Sequence, residues 1–183
     1  MSNSKKFTSL KEHSLREEMP LNSRRIIVKD IIIEDFINYK KPCMTIAFPH
    51  CTFKCEKECG IQCCQNSALA QSPDIEISIE KVINLYINNP ITQAVCCQGL
   101  EPFDDWGGLI IFIREFRKYS DDDIVIYTGY YEYEIFPLID SLKANYTNIV
   151  VKFGRFIPDQ QPHYDEVLGV KLASDNQKGV RIC

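Results

Sequence analysis

The sequence lacks the features that would carry it into a membrane, onto a nucleic acid or out of a cell. Its longest apolar runs, such as Ile31-Ile32-Ile33 and Leu109 to Ile113, fall far short of the ~20 residues that a bilayer-spanning helix needs. The first residues carry Lys5, Lys6, Lys11, Glu12 and Arg16 and no apolar core of a leader peptide, so the expected location is cytoplasmic, where thiols stay reduced. The formal net charge of −4 leaves no broad basic field, and neither nucleic acid nor an anionic membrane is expected as a partner. Histidine is scarce: His13, His50 and His163 lie in unrelated contexts, which argues against a Cys–His hydrolase. There is no internal repeat and no low-complexity segment.

What is present is an ordinary globular composition, 45% hydrophobic and 25% charged over 183 residues, enough apolar material for a core without disulfide or metal staples. One domain is expected over 25–183, preceded by a polar, flexible extension over 1–24. Ile26-Ile27-Val28, Ile31-Ile32-Ile33, Met44 to Phe48, Ala94 to Cys97, Ile124 to Tyr127 and Asn148 to Phe153 are β-branched or apolar runs that predict strands. Between them, Ser78 is positioned to cap a helix carrying Ile79, Val82, Ile83, Tyr86 and Ile87 at helical spacing. Asp104 or Asp105 caps a second with a stripe of Trp106, Leu109, Ile110, Ile113 and Phe116. A third helix is expected over Glu132 to Lys143, and the tail from Gly154 reads as an extended loop ending in a short strand at Gly179 to Cys183. Strands alternating with helices predict an α/β fold of βα units on a mostly parallel sheet. Four or five such units are too few to close an eight-stranded barrel, so an open, partial barrel is expected.

Nine cysteines in a reducing compartment call for a role, and five of them, Cys51, Cys55, Cys59, Cys63 and Cys64, fall within fourteen residues directly after the Met44 to Phe48 strand. A secreted disulfide framework spreads its cysteines along the chain; this density reads as a metal site. Zinc knuckles usually show two separated pairs, often with histidine, whereas here there is one cluster with only His50 near it. An iron–sulfur cluster needs thiolates converging on one point, and three of them on a [4Fe–4S] cluster leave one iron open to a ligand. Cys43, Cys96, Cys97 and Cys183 lie outside the loop and read as small buried residues or a free terminal thiol.

Cys51-x3-Cys55, followed by Cys64-Gln65-Asn66, resembles the cysteine loop of the radical-SAM superfamily, in particular of the proteins that activate anaerobic (class III) ribonucleotide reductase. That motif is Cys-x3-Cys-x2-Cys; Glu58 stands at the third position here, and six inserted residues carry Cys59 and Cys63. Cys64 is the best match to the third ligand, with Cys63 and then Cys59 as alternatives. Gln98-Gly99-Leu100-Glu101-Pro102 resembles the Gly-Gly-Glu/Asp-Pro motif that takes the amino group of S-adenosylmethionine, with Leu100 in place of the second glycine. Tyr127-Thr128-Gly129-Tyr130, Gly154-Arg155-Phe156 and Ser174-Asp175-Asn176-Gln177 resemble later elements of the same proteins, with Ala173 where the last has glycine, and Glu34 to Tyr39 resembles their lead-in to the first strand. The likeness runs in order over roughly 26–183.

The resemblance implies a radical-SAM-type barrel and an oxidoreductase that generates a 5′-deoxyadenosyl radical and installs a glycyl radical on anaerobic ribonucleotide reductase. It implies a [4Fe–4S] cluster on Cys51, Cys55 and Cys64, and S-adenosyl-L-methionine held by Gly99 and Glu101, with Thr128 and Gly129 along its ribose or methionyl part. Phe53 either covers the cluster or the adenine, or anchors the loop as a core aromatic. The implied partners are the large glycyl-radical reductase subunit and a flavodoxin- or ferredoxin-type electron donor. Two other readings use the same residues: a radical-SAM enzyme acting on a small molecule or another peptide, and an iron–sulfur or zinc binding module without catalysis.

Overall fold

Residues 24–183 are described by a computed structural model; the expected N-terminal extension, apart from Arg24, lies outside the described residues. The chain folds as mixed α/β around a mostly parallel central sheet. Strands β1 (Arg25–Val28), β2 (Asp30–Asp35) and β3 (Cys43–Phe48) open it. The cysteine loop follows, with two short helices, α1 (Lys54–Cys59) and α2 (Ser67–Gln71). Then come β4 (Ile75–Ser78), α3 (Ile79–Ile87), β5 (Ala94–Gly99), α4 (Trp106–Phe116), β6 (Asp123–Tyr127), α5 (Phe136–Asn145) and β7 (Ile149–Phe153). A hairpin of β8 (His163–Asp165) and β9 (Val170–Leu172) precedes the last strand, β10 (Lys178–Arg181).

The central sheet has the order β10-β7-β6-β5-β3-β2. β3, β5, β6 and β7 are parallel, each beside its predecessor, and antiparallel β2 and β10 close the two edges. Because side chains alternate along a strand, Met44, Ile46, Phe48, Val95, Cys97, Ile124, Ile126, Val151 and Phe153 all point to one face, where α3, α4 and α5 cover them. The helices present the stripes expected of them: Ile79, Val82, Ile83 and Tyr86 on α3, then Leu109, Phe112, Ile113 and Phe116 on α4. On the opposite face Cys43, Ala94, Cys96, Val125 and Val150 meet Tyr39, Leu168 and Leu172, so that face is roofed by loops and the β8–β9 hairpin rather than by helices. Cys43, Cys96 and Cys97 are fully buried, as small apolar side chains would be.

Ser78 caps α3 by accepting from the Lys81 N–H, and Asp105, not Asp104, caps α4 through the Gly108 N–H. Several expectations need correction. The helix expected over Glu132 to Lys143 is a 3-10 turn at Glu132–Glu134 followed by α5, which starts beside Pro137, because proline is tolerated only in a first turn. Three helical crossovers join the four parallel strands, rather than four or five units. β1 does not join the central sheet; it pairs antiparallel with β4, a strand the sequence reading did not contain. Among the described residues no helix is long and apolar enough to cross a membrane.

At the lower ends of the strands Asp123 accepts from Tyr39 Oη (3.0 Å), Lys41 Nζ (2.6 Å) and Arg181 Nη2 (2.8 Å), a set of charges that pair with one another. The upper, carboxyl ends of the parallel strands are different. There the chain leaves a cavity.

Candidate cofactor site

The cavity, about 340 Å³, opens where β3, β5, β6 and β7 end and their loops diverge, the usual place for a ligand in a parallel sheet. Its wall contains Cys51, Cys55 and Cys64 from the loop after β3, Gly99 at the end of β5 with Glu101 just beyond it, and Thr128 and Gly129 after β6. All seven residues named from the sequence therefore meet in one place. Cys63 also reaches the wall; Cys59 and Phe53 do not.

The cysteine loop is tied down from several sides. The Thr52 N–H donates to Asp104 Oδ2 (2.6 Å), whose other oxygen accepts from Tyr130 Oη (2.6 Å). Asn66 Nδ2 donates to the Gly99 carbonyl (2.7 Å), and the Cys64 N–H donates to Glu56 Oε1 (3.1 Å). Phe53 takes a left-handed conformation (φ 52°) at the start of α1, and its N–H points at Cys51 Sγ, 3.2 Å away. Phe53 thus serves the loop's turn and not the cavity. Burial, followed by the charges of Glu101, Asp104 and Cys55, pushes the Cys51 thiol up to about 12, against the pull of the Phe53 N–H. Burial and the neighbouring Cys64 push the Cys55 thiol up as well. Cys55 therefore feels both Cys51 and Cys64.

Glu101 is buried at the back of the cavity. Its Oε2 accepts from the Gly129 N–H (2.8 Å) and its Oε1 from the Phe103 N–H (3.2 Å), and the Thr128 hydroxyl bonds it too. Burial raises its carboxyl to about 7; the three hydrogen bonds oppose that shift and the Asp104 charge adds to it. Lys152, also buried, holds the Gly154 carbonyl (2.7 Å) and is brought down to about 8 by burial, with Glu101 and Cys55 acting against the shift. A lysine within the apolar run Ile149 to Phe153 is the sequence signal that would have singled it out, since lysine is almost never fully buried without a partner.

Arg155 is the second buried cation. Its Nη2 donates to Glu134 Oε1 (2.6 Å) and reaches Glu58 of α1 (3.3 Å), while Lys54, one turn before Glu58, pairs with the same Glu134 oxygen (3.1 Å). Burial would raise the Glu134 carboxyl, but Arg155, the Tyr131 N–H and Lys54 outweigh it and bring it to about 2. The tail completes the wall: Asn176 Nδ2 and Ser174 Oγ both donate to the Arg155 carbonyl. Gly154-Arg155 and Ser174 to Gln177, far apart in sequence, are one structural unit.

Gly99 is where the cavity tolerates least. Its φ is 100°, and a Cβ there would stand 2.7 Å from the Ala47 Cα and 2.8 Å from the Phe48 nitrogen, backbone atoms of a central strand. Gly99→Ala is expected to cost about 2–4 kcal/mol from the strained conformation and the overlap together. Gly107→Ala, on α4 with open space at that position, should cost nothing. Urea unfolding of the two metal-free variants checks this; equal midpoints would contradict the close approach.

Comparison with protein-family models, curated proteins and solved structures finds no match to this chain. Among the described residues no group of three or more His, Cys, Asp or Glu side chains stands in metal-holding geometry. The donor chemistry nevertheless fits an iron–sulfur cluster. Four cysteines of one loop, Cys51, Cys55, Cys63 and Cys64, line one cavity, enough for the three thiolates a site-differentiated cluster needs, with no histidine or carboxylate of that loop among its lining residues.

Proposed function

We propose that this chain is a radical-SAM activating protein, a partial βα barrel that carries a [4Fe–4S] cluster on Cys51, Cys55 and Cys64. It uses S-adenosylmethionine to install a glycyl radical on an anaerobic ribonucleotide reductase. One observation carries the reading: three separate segments with a resemblance to that family, the cysteine loop, Gln98 to Glu101 and Thr128-Gly129, line a single cavity at the carboxyl ends of sequentially ordered parallel strands. The one-directional strand order with α3, α4 and α5 on one face is what a fraction of a βα barrel requires.

A cluster bound there would be held by Cys51, Cys55 and Cys64 and would supply the electron for reductive cleavage of S-adenosylmethionine. The chain's own residues do the holding. Glu101 accepts the methionyl ammonium in a charge-assisted hydrogen bond. Lys152, with one of its three donors on the Gly154 carbonyl, offers the others to the methionyl carboxylate. Gly129, whose missing Cβ would stand beside Glu101 Oε2 and Arg155, lets the ligand approach without a side chain in the way, while Gly99 lets β5 approach the β3 backbone. Tyr127 and Asn38, joined through Tyr127 Oη and the Asn38 carbonyl (2.7 Å), wall the cavity on the face without helices and limit water there. The reductase glycine and the flavodoxin- or ferredoxin-type donor approach from outside.

Anaerobic preparation with iron and sulfide, followed by S-adenosylmethionine and a chemical reductant, tests the reading. About four iron and four sulfide per chain are expected, together with 5′-deoxyadenosine in the products. Stoichiometric zinc without sulfide would refute it. A cluster that releases no 5′-deoxyadenosine would point to an electron-carrying module.

A further inference from the structure

Two cysteines of the loop, Cys59 and Cys63, stand outside the set of Cys51, Cys55 and Cys64, and of the two only Cys63 also reaches the cavity wall. Cys59 ends α1, Gly60 turns the chain in a left-handed conformation (φ 70°), and the exposed Ile61 and Gln62 bring Cys63 back to it. The Sγ atoms of Cys59 and Cys63 stand 2.8 Å apart. Among the described residues Cys59 Sγ otherwise hydrogen-bonds to the carbonyls of Glu56 (3.8 Å) and Ile61 (3.3 Å), and it does not line the cavity. Both side chains are partly accessible to solvent.

We propose that Cys59 and Cys63 are a redox-active dithiol that exchanges with an external disulfide. The thiolate of one attacks a sulfur of that disulfide, forming a mixed disulfide and releasing one external thiolate. The thiolate of the other then attacks the protein sulfur, closing the Cys59–Cys63 bond and releasing the second external thiol. Two protein thiols lose two electrons and two protons, and the external disulfide gains them. A covalent S–S bond is about 2.0 Å long, so the sulfurs need approach by less than about 1 Å. The bond pins the end of α1 to the residue before Cys64 and takes the Cys63 sulfur out of competition with Cys64 for the cavity. The exchange rests on the sulfur pair and not on what the cavity binds.

The test is titration of the full-length, metal-free protein with glutathione disulfide under argon, followed by alkylation of free thiols and peptide mapping. A Cys59–Cys63 linkage with loss of two alkylatable thiols, reversed by excess glutathione, is expected. In Cys63→Ser, Cys59 should stop at a mixed disulfide with glutathione. Cys59 pairing with Cys55 or Cys64, or both thiols remaining alkylatable throughout, would overturn the proposal. The double variant Cys59→Ser/Cys63→Ser should take up as much iron and sulfide on reconstitution as wild type; a specific loss of iron would make one of the pair a ligand and also overturn it. Absence of iron from wild type as well would count against the cluster alone, because the alkylation pattern decides the dithiol independently.

Discussion

Cys55→Ala is expected to bring the iron content after anaerobic reconstitution from about four per chain to below about one, with the fold intact. Cys55 is central in the loop, with Cys51, Cys63 and Cys64 all close enough to act on it electrostatically. Two thiolates cannot hold a cluster against loss to solvent. Structurally the change is small: Cys55 is only half-buried on a short helix with no buried residues, so unfolding of the metal-free protein should shift by about 1 kcal/mol at most. Cys64→Ala should behave in the same way, whereas Cys59→Ala and Cys63→Ala should retain the iron. Metal and sulfide analysis beside a thermal melt separates lost ligation from lost folding. If Cys55→Ala holds iron as wild type does, the donor set is wrong; if Cys63→Ala loses it and Cys64→Ala does not, the third donor is Cys63.

The central strands and their helices were legible because burial on both faces writes itself into the sequence. β3, β5, β6 and β7 are almost wholly buried and read as continuous apolar runs, and α3 and α4 carry stripes with a capping Ser78 and Asp105. Where no such signal exists, the reading failed. α1 and α2 bury no residue at all, so no periodicity announces them. β8 and β9 are three residues each, too short for an alternation to be seen, so the tail reads as loop up to the strand at its end, β10. Pro137 carries a signal of its own, a break in the expected helix that sets the start of α5.

The site was legible to the extent that its residues sit in local motifs. The cysteines, Gly99, Glu101, Thr128 and Gly129 each stand in a short pattern at the end of a strand, and a parallel sheet brings such ends together. What joins them was not legible, since it is long-range. Asp104 spans from Thr52 to Tyr130, Asn66 reaches Gly99, and Glu134 gathers Lys54 and Arg155 from opposite ends of the chain. No spacing in the sequence encodes those pairs. Glu101 shows the mixture: a helix-capping role and a ligand-binding role compete on paper, and the structure gives it the Phe103 N–H of the one and the cavity position of the other.

Glu101→Gln is accordingly expected to weaken S-adenosylmethionine binding by about one to two decades, while the cluster is retained. A carboxylate has about four lone-pair positions, and the Gly129 and Phe103 N–H groups occupy two, leaving room for a ligand ammonium. A charge-assisted bond of that kind contributes about 1.5–3 kcal/mol. The pH dependence gives the residue a signature that a cap alone would not show. Its carboxyl lies at about 7 in the folded chain without ligand, above the ordinary 4.5. A raised value means that its contribution to stability is fully present below pH 4.5 and lost as pH rises through about 7; in the glutamine variant this loss should be absent from the unfolding curve. Ligand binding runs the other way, because the ammonium selects the ionised carboxylate. Wild type should therefore bind S-adenosylmethionine more tightly as pH rises through about 7, and Glu101→Gln should bind weakly at every pH. Glu101 supports the Lys152 ammonium, so Lys152 should lose its proton at lower pH in the variant, and the difference between the two profiles belongs to the Glu101–Lys152 pair. Titrating the ligand into both reconstituted proteins on either side of pH 7, with the cluster's EPR signal as readout, measures it. Superimposable titrations at both pH values would remove Glu101 from the binding site and leave it as the cap of the turn at Pro102–Asp105.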